Sequence, residues 1–153
     1  MPLIKIKTEI EADVKTCFDL ARNIDIHQES MQHSGEIAIS GKTSGLIGLR
    51  EIVTWEAMHF GFVQHLTSKI TEFESPSYFV DEMVFGAFKS FRHEHYFTQQ
   101  DDVTIMTDKF YFESPLGILG KIANVLFLKA YMKRLLQKRN NFLKEQAEAK
   151  NVD

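Results

Sequence analysis

Two histidines stand two residues apart in the segment Lys89 to Thr98, and side chains two apart on an extended chain project to the same side. His93 and His95 thereby share a face with Phe91 and Phe97, while Arg92, Glu94, Tyr96 and Thr98 form a more polar opposite face. The histidines are expected to point inward. If Gln99 to Asp102 form the following loop and Thr98 faces Val103, then His93 faces Asp108, Phe91 faces Phe110 and His95 faces Met106. On the preceding segment, Phe79, Asp81, Met83 and Phe85 make the more apolar face. A three-residue loop there brings Asp81 level with His93, and a two-residue loop turns it away.

An imidazole between two carboxylates in an apolar wall has three chemical readings. Asp81, His93 and Asp108 satisfy one another as buried polar groups. Alternatively His93, His95 and an Asp hydrogen-bond the polar head of a mainly apolar molecule. Or His93 is a general base oriented by Asp108 or Asp81, suited to proton abstraction beside a carbonyl. The first is the plainest, and no residue is assigned as catalytic with these three as the candidates. Nearby charge favours the imidazolium while desolvation opposes it, so the sequence leaves its protonation open.

Other chemistries are set aside. His-x-His on a strand can chelate zinc, but a third ligand must come from Asp81 or Asp108 and the spacing matches no familiar site, so no metal is expected. Ser40-Gly41-Lys42-Thr43 has the end of a phosphate loop, but Glu36 stands where the first glycine belongs and a strand follows. A flexible turn is the reading there. The single Cys17 lies in a helical pattern as a small buried group and excludes an internal disulfide. No nucleophile elbow, paired-carboxylate spacing or dinucleotide fingerprint is present, so no cofactor is expected. The net charge of −3 offers no field for nucleic acid. No signal-like apolar run opens the chain, and cytoplasm is the default location.

The elements that must position these groups follow from periodicity. Leu3 to Ile10 alternates as a half-buried strand. Asp13 caps a short helix carrying Val14, Cys17, Phe18, Ala21 and Ile24 at spacings of three and four, and Asp25 caps a second through about Gln32, with Ile26 and Met31 inward. Six strands are expected next: Glu36 to Ser40, Leu46 to Met58, Phe62 to Phe73, Tyr78 to Val84, Lys89 to Thr98 and Val103 to Glu113. Short loops join them as an antiparallel meander. After Pro115 the pattern turns helical through about Ala149, long enough at about 1.5 Å per residue to need a long, twisted sheet as partner. One domain over residues 1–149 is expected, with 150–153 as a short tail.

That order, together with Phe79-Val80-Asp81, Gly86, His93-Glu94-His95-Tyr96-Phe97, Thr107-Asp108 and Leu116-Gly117-Ile118-Leu119-Gly120, resembles the START, polyketide cyclase and Bet v 1-like superfamily, in a bacterial ligand-binding branch. The resemblance implies an α+β helix-grip fold: a curved seven-stranded antiparallel sheet wrapped on a long C-terminal helix, with two short helices after the first strand. It also implies a hydrophobic cavity between sheet and helix. Members bind lipids, polyketides or other apolar molecules, and some are cyclases or dehydratases; the fold alone transfers no reaction.

The expected function is therefore binding of a small apolar molecule, with a cyclase or dehydratase and a ligand-free interaction module as rivals. Thirteen Phe suit either a wide core that needs bulky filler or a cavity walled by rings. The candidate wall comprises Phe79, Phe91, His93, His95, Met106, Phe110 and Ile122, with Trp55 either core filler or cavity floor on a face shared with Leu49, Glu51 and Val53. The glycines of Leu116 to Gly120 are expected to let the entrance breathe. Lys129, Lys133, Arg134, Lys138, Arg139 and Lys144 make the last helix basic, read as a solvated face ahead of a membrane contact. The oligomeric state and the ligand's identity are not readable.

Overall fold

Alternation of period two over about two fifths of the chain produces seven strands, and the computed structural model joins them in one antiparallel sheet. It describes the backbone of residues 2–114 and 118–152 and the side chains of residues 2–114 and 126–150. The elements are β1 (Leu3–Ile10), α1 (Val14–Ala21), α2 (Ile24–Ser30), a 3-10 turn (Gln32–Ser34), β2 (Ile37–Gly41), β3 (Ile52–His59), β4 (Phe62–Glu74), β5 (Tyr78–Phe85), β6 (Ser90–Gln100), β7 (Val103–Glu113) and α3 (Ile118–Val152). The sheet order is β1-β7-β6-β5-β4-β3-β2, a meander closed by β1 against the last strand. Register irregularities between Ala38 and Ser40 and at two places in β4 bend the sheet. The result is the helix-grip architecture expected from the sequence. The Leu116 to Gly120 entrance and the Ile122 side chain fall wholly or partly outside the described residues.

Asp13 caps α1, its carboxylate accepting from Thr16 N at 3.1 Å. The second cap is Asn23, two residues before the expected Asp25; Asn23 accepts from Ile26 N, and Asp25 instead receives the backbone N–H of Gly45. That contact belongs to a larger departure. Residues 46–51, expected in strand, run as a loop whose ends are held apart: Ile24 N bonds Gly45 O at 2.9 Å and Ile47 N bonds Arg22 O at 3.0 Å at the helix junction, while Arg50 N and Glu51 O bond Ile70 of β4 at 2.8 and 3.0 Å. Ile47 is thereby buried, and Leu49 and Glu51 share no strand face with Trp55. Gly41 ends β2 at φ 76°, where an added Cβ would lie 2.3 Å from Ile52 O, so no side chain fits that close approach.

The β6–β7 turn is shorter than expected. Gln100 faces Val103, leaving only Asp101 and Asp102 as turn residues, with Asp101 at φ 54°. His93 is consequently opposite Phe110, and His95 opposite Asp108. The slip is by an even number, so every side chain keeps its face, and Phe91, His93, His95 and Phe97 are buried. Across β5, Asp81 is opposite His93, as the longer-loop reading required.

Two apolar clusters flank the histidines. One surrounds Phe18, whose fully buried ring meets Phe73, Phe79 and Phe97 edge-on at centroid distances of 5.4, 5.6 and 5.3 Å, with Met106, Leu143 and Ala147 nearby. The other joins Ile4, Phe91, Phe110, Phe112 and Leu136. The last turns of α3 sit on the first cluster, while Leu126 and Phe127 are exposed. Phe18→Ala should cost about 3 to 5 kcal/mol in urea denaturation; a loss below about 1 kcal/mol would show that this cluster does not hold α1, sheet and α3 together.

Candidate functional site

Asp108 on β7 is fully buried and takes hydrogen bonds from three side chains. His93 Nε2 lies 2.8 Å from Oδ1, Arg139 Nη2 2.7 Å from Oδ1, and Asn140 Nδ2 2.7 Å from Oδ2. The Asn140 carbonyl in turn accepts from Arg139 Nε at 3.1 Å and Nη2 at 2.8 Å. A carboxylate only accepts and a guanidinium only donates, so the amide has one orientation that serves both. The two α3 residues reach β7 because the helix turns one face to the sheet: Leu135, Leu136, Arg139, Asn140, Leu143 and Ala147, at spacings of three and four, are all buried.

The histidines cross over. His93, opposite Asp81, bonds Asp108, whereas His95, opposite Asp108, places Nε2 2.7 Å from Asp81 Oδ2. Their rings stack at 3.8 Å between centroids, 28° from parallel, and Phe79 stacks on the far side of His95 at 4.1 Å. His95 Nδ1 lies 3.4 Å from Asp108 Oδ1 without hydrogen-bond geometry.

Protonation follows from charge balance. Burial and the neighbouring His95 push the His93 pKa down to about 4, against the pull of Asp108 and Asp81. Burial also opposes a charge on His95, but its interactions with Asp108 and Asp81 outweigh that and raise its pKa above the ordinary value. Both carboxylates are desolvated, yet Asp81 is held below the usual range by its hydrogen bond to His95. Asp108 is held well below that range by the Arg139 guanidinium and both imidazoles. Asp81, Asp108, Arg139 and a single imidazolium sum to zero charge, which is the arrangement a buried cluster favours.

Of these groups, Asp81, His93 and Arg139 line a cavity of about 800 Å³ between sheet and helix. Phe91 and Phe110 line its sheet side, and Leu128, Tyr131, Met132, Leu135 and Leu136 its helix side. Trp55 belongs to the wall as well, its ring 4.6 Å from that of His27, which is paired with Glu36 at 2.7 Å. Elsewhere on the cavity wall His59 Nδ1 meets Tyr131 Oη at 2.5 Å, and Phe60 packs on Tyr131 at 4.6 Å. A smaller cavity of about 90 Å³ shares His27, Trp55, Ser68, Asp81, His93 and Arg139 with the large one. Phe79 and His95 line only that annex, and Met106 lines neither, being core beside Phe18. The expected wall residues therefore divide between cavity, annex and core.

Arg139 is not on the solvated face assigned to it from sequence; it is 5% exposed. Asn140, His27, Glu36, His59 and Tyr131 were likewise not foreseen. For Arg139 and Asn140 the signal was present, since the apolar stripe of α3 passes through both positions. A metal could draw on Asp81, His93 and His95, which bring one ligand atom each within 4.8 Å of one another. Both Nε2 atoms are already engaged by carboxylates and Arg139 shares the cluster, so the donor set is committed to its own ion pairs and fits a cation poorly. No helix among the described residues is long and apolar enough to cross a membrane.

The protonation pattern predicts acid sensitivity. His93 binds its proton more weakly folded than unfolded, so stability falls as pH drops from 6.5 to about 4. The depressed carboxylates add a further loss as pH falls through their folded values, below 3.8. His95 has the opposite sign: its contribution is present below 6.5 and lost as pH rises through its raised value. Thermal unfolding of His93→Gln should show a flatter decline over the first window, and imidazole NMR at pH 6 should find His93 neutral and His95 charged. The reverse assignment would overturn the charge balance.

No family model matches the chain, and no curated protein matches it in sequence. Solved structures do. The protein TTHA0849 from Thermus thermophilus is 15% identical with a TM-score of 0.78, over 97% of this chain and 98% of that one. The ginseng major latex-like protein 151 from Panax ginseng is 14% identical with a TM-score of 0.68, over 95% and 97%. The di-domain ARO/CYC StfQ from the steffimycin biosynthetic pathway is 13% identical with a TM-score of 0.71, over 99% of this chain and 52% of that one. With its seven-stranded antiparallel sheet curved around a long C-terminal helix, the chain shares the helix-grip fold of these solved structures.

Proposed function

We propose that the protein binds a small, mainly apolar molecule in the cavity between the sheet and α3. The observation that carries this is the cavity itself: about 800 Å³, walled mostly by aromatic and aliphatic side chains, with the Asp81, His93 and Arg139 cluster at one part of its wall. Volumes of roughly 300 to 1,000 Å³ suit small ligands. Burying about 250 Å² of apolar ligand surface contributes about 6 kcal/mol before the costs of ordering. The polar cluster then selects orientation. The structural neighbours, a major latex-like protein and an ARO/CYC protein of a biosynthetic pathway, are compatible with this use of the fold.

The second reading is an enzyme of the cyclase type. It is favoured by His93, a neutral imidazole on the cavity wall with its Nε2 held by Asp108. The open volume argues against a ligand-free interaction module with a filled interior.

Trp55 is the one tryptophan of the chain and part of the wall, so its emission reports on the cavity. Titration with an apolar probe such as dodecanol should shift or quench that emission with saturation at one probe per chain. Leu136→Trp, which fills the helix side, should weaken binding of the probe at least about tenfold, a change of about 1.4 kcal/mol. The variant's fold is checked by circular dichroism, and its binding is followed calorimetrically because of the added indole. Unaltered emission in the wild type together with no heat of binding would end the proposal.

A further inference from the structure

Arg139 leaves one of its donors unused. Nε and Nη2 serve Asn140 and Asp108, but Nη1 has no hydrogen-bond partner among the described residues, and the side chain, 5% exposed, lines both the main cavity and its annex. Nη1 is not sealed away from the cavity either, since the fully enclosed unpartnered side-chain atoms among the described residues are Thr71 Oγ1 and His95 Nδ1. A guanidinium donor without an acceptor is costly in a nearly dry site. Asp81 is its complement. Oδ2 accepts from His95, Oδ1 has no hydrogen bond among the described residues, and the side chain is 18% exposed on the same two walls.

One cationic donor and one acceptor thus face one part of a mostly apolar space. The chemical group that answers both is a carboxylic acid: its carbonyl oxygen accepts from Arg139 Nη1 and its O–H donates to Asp81. We propose that the ligand is an apolar monocarboxylic acid, headed by Arg139 and Asp81, and that it binds together with one proton. This rests on the cavity being a ligand site and goes beyond it by naming the head group and its protonation.

The proton follows from the charges around the site. Asp81 on β5, Asp108 on β7 and Arg139 on α3, with one imidazolium shared by His93 and His95 on β6, already cancel. On the α2 side, His27 is paired with Glu36, and at the annex Arg22 is paired with Asp19. On β3 and β4, His59 bonds Tyr131, and His65 pairs with Glu56. None of these supplies a free positive charge. A bare carboxylate entering would leave the cluster at −1, so the acid must keep its proton or pass it to His93, whose neutral form can accept one. In both cases one proton is taken from the buffer, since the acid is ionised in solution at neutral pH. Nothing else is transferred.

The test compares dodecanoic acid, dodecanol and methyl dodecanoate on the full chain by calorimetry and Trp55 emission, in two buffers of different ionisation enthalpy. The acid should bind at least about tenfold tighter than the alcohol or ester at pH 6.5, as a charge-assisted contact implies. It should take up about one proton, and its affinity should fall about tenfold per pH unit up to pH 8.5 while the alcohol's stays flat. Asp81→Asn removes one negative charge and should abolish the proton uptake while the acid still binds. Arg139→Lys should keep a cation near Asp108 but lose Nη1, reducing the acid-over-alcohol preference about tenfold. Should that variant fail to fold, Asp81→Asn and the pH series decide. Equal binding of acid, alcohol and ester, or binding of the acid without proton uptake, would overturn the acid site and leave the apolar cavity standing. Failure of all three to bind would overturn the cavity reading and this one together.

Discussion

A carboxylate with no exposure to water must be met by donors, and the demands of Asp108 organise this molecule. Its position at the middle of β7 draws in a histidine from β6 and two residues from α3. Those two contacts fix the rotation of the long helix over the sheet as well as its position along it, which apolar packing alone would leave tolerant of small slides. The same carboxylate occupies His93 Nε2, and Asp81 occupies His95 Nε2, so each ring is held in one orientation and the two stack. One buried acid therefore sets helix position, ring orientation and the sharing of a single imidazolium.

The polar contacts and the cavity are two results of one arrangement. Toward its C-terminus, α3 is held by the cluster around Phe18 and by Arg139 and Asn140, and Leu143 and Ala147 are buried there. Toward its other end, Leu128, Tyr131 and Met132 face open volume, and Phe127 is exposed. The Phe60–Gly61 turn, with φ of 54° and 77°, suits the twist of a two-residue hairpin and leans its ring on Phe127 and Tyr131. Helix and sheet thus close at both ends and stand apart between them.

Much of this was legible in the residues. β1 and β7 coincide with their expected bounds because strict alternation ends in clear turn residues, and the inward face of His93 and His95 follows from the same period. The pairing of β6 with β7 was misjudged because Gln99 and Gln100 read as loop by polarity, whereas an aspartate tolerates the left-handed conformation that lets the turn shrink to Asp101 and Asp102. Residues 46–51 read as strand by composition, but Ile47 bonds Arg22 at the α1–α2 junction while Arg50 and Glu51 bond Ile70 of β4, a long-range competition invisible to local pattern. Arg139 and Asn140 were missed for a different reason. A charged residue on a basic helix reads as solvated unless a buried carboxylate is known to await it, and that knowledge depends on a contact spanning 31 residues.

A rod clamped by ion pairs near one end and held by fewer contacts at the other behaves as a lever. Arg139 is the pivot, and Leu128 lies about 16 Å up the axis at about 1.5 Å per residue, so a swing of about five degrees there would displace the roof by about 1.4 Å. On the proposed binding reading, guests of different girth would be met by angular adjustment at the end tethered only by the His59 and Phe60 contacts, with the ion pairs at the fulcrum left intact.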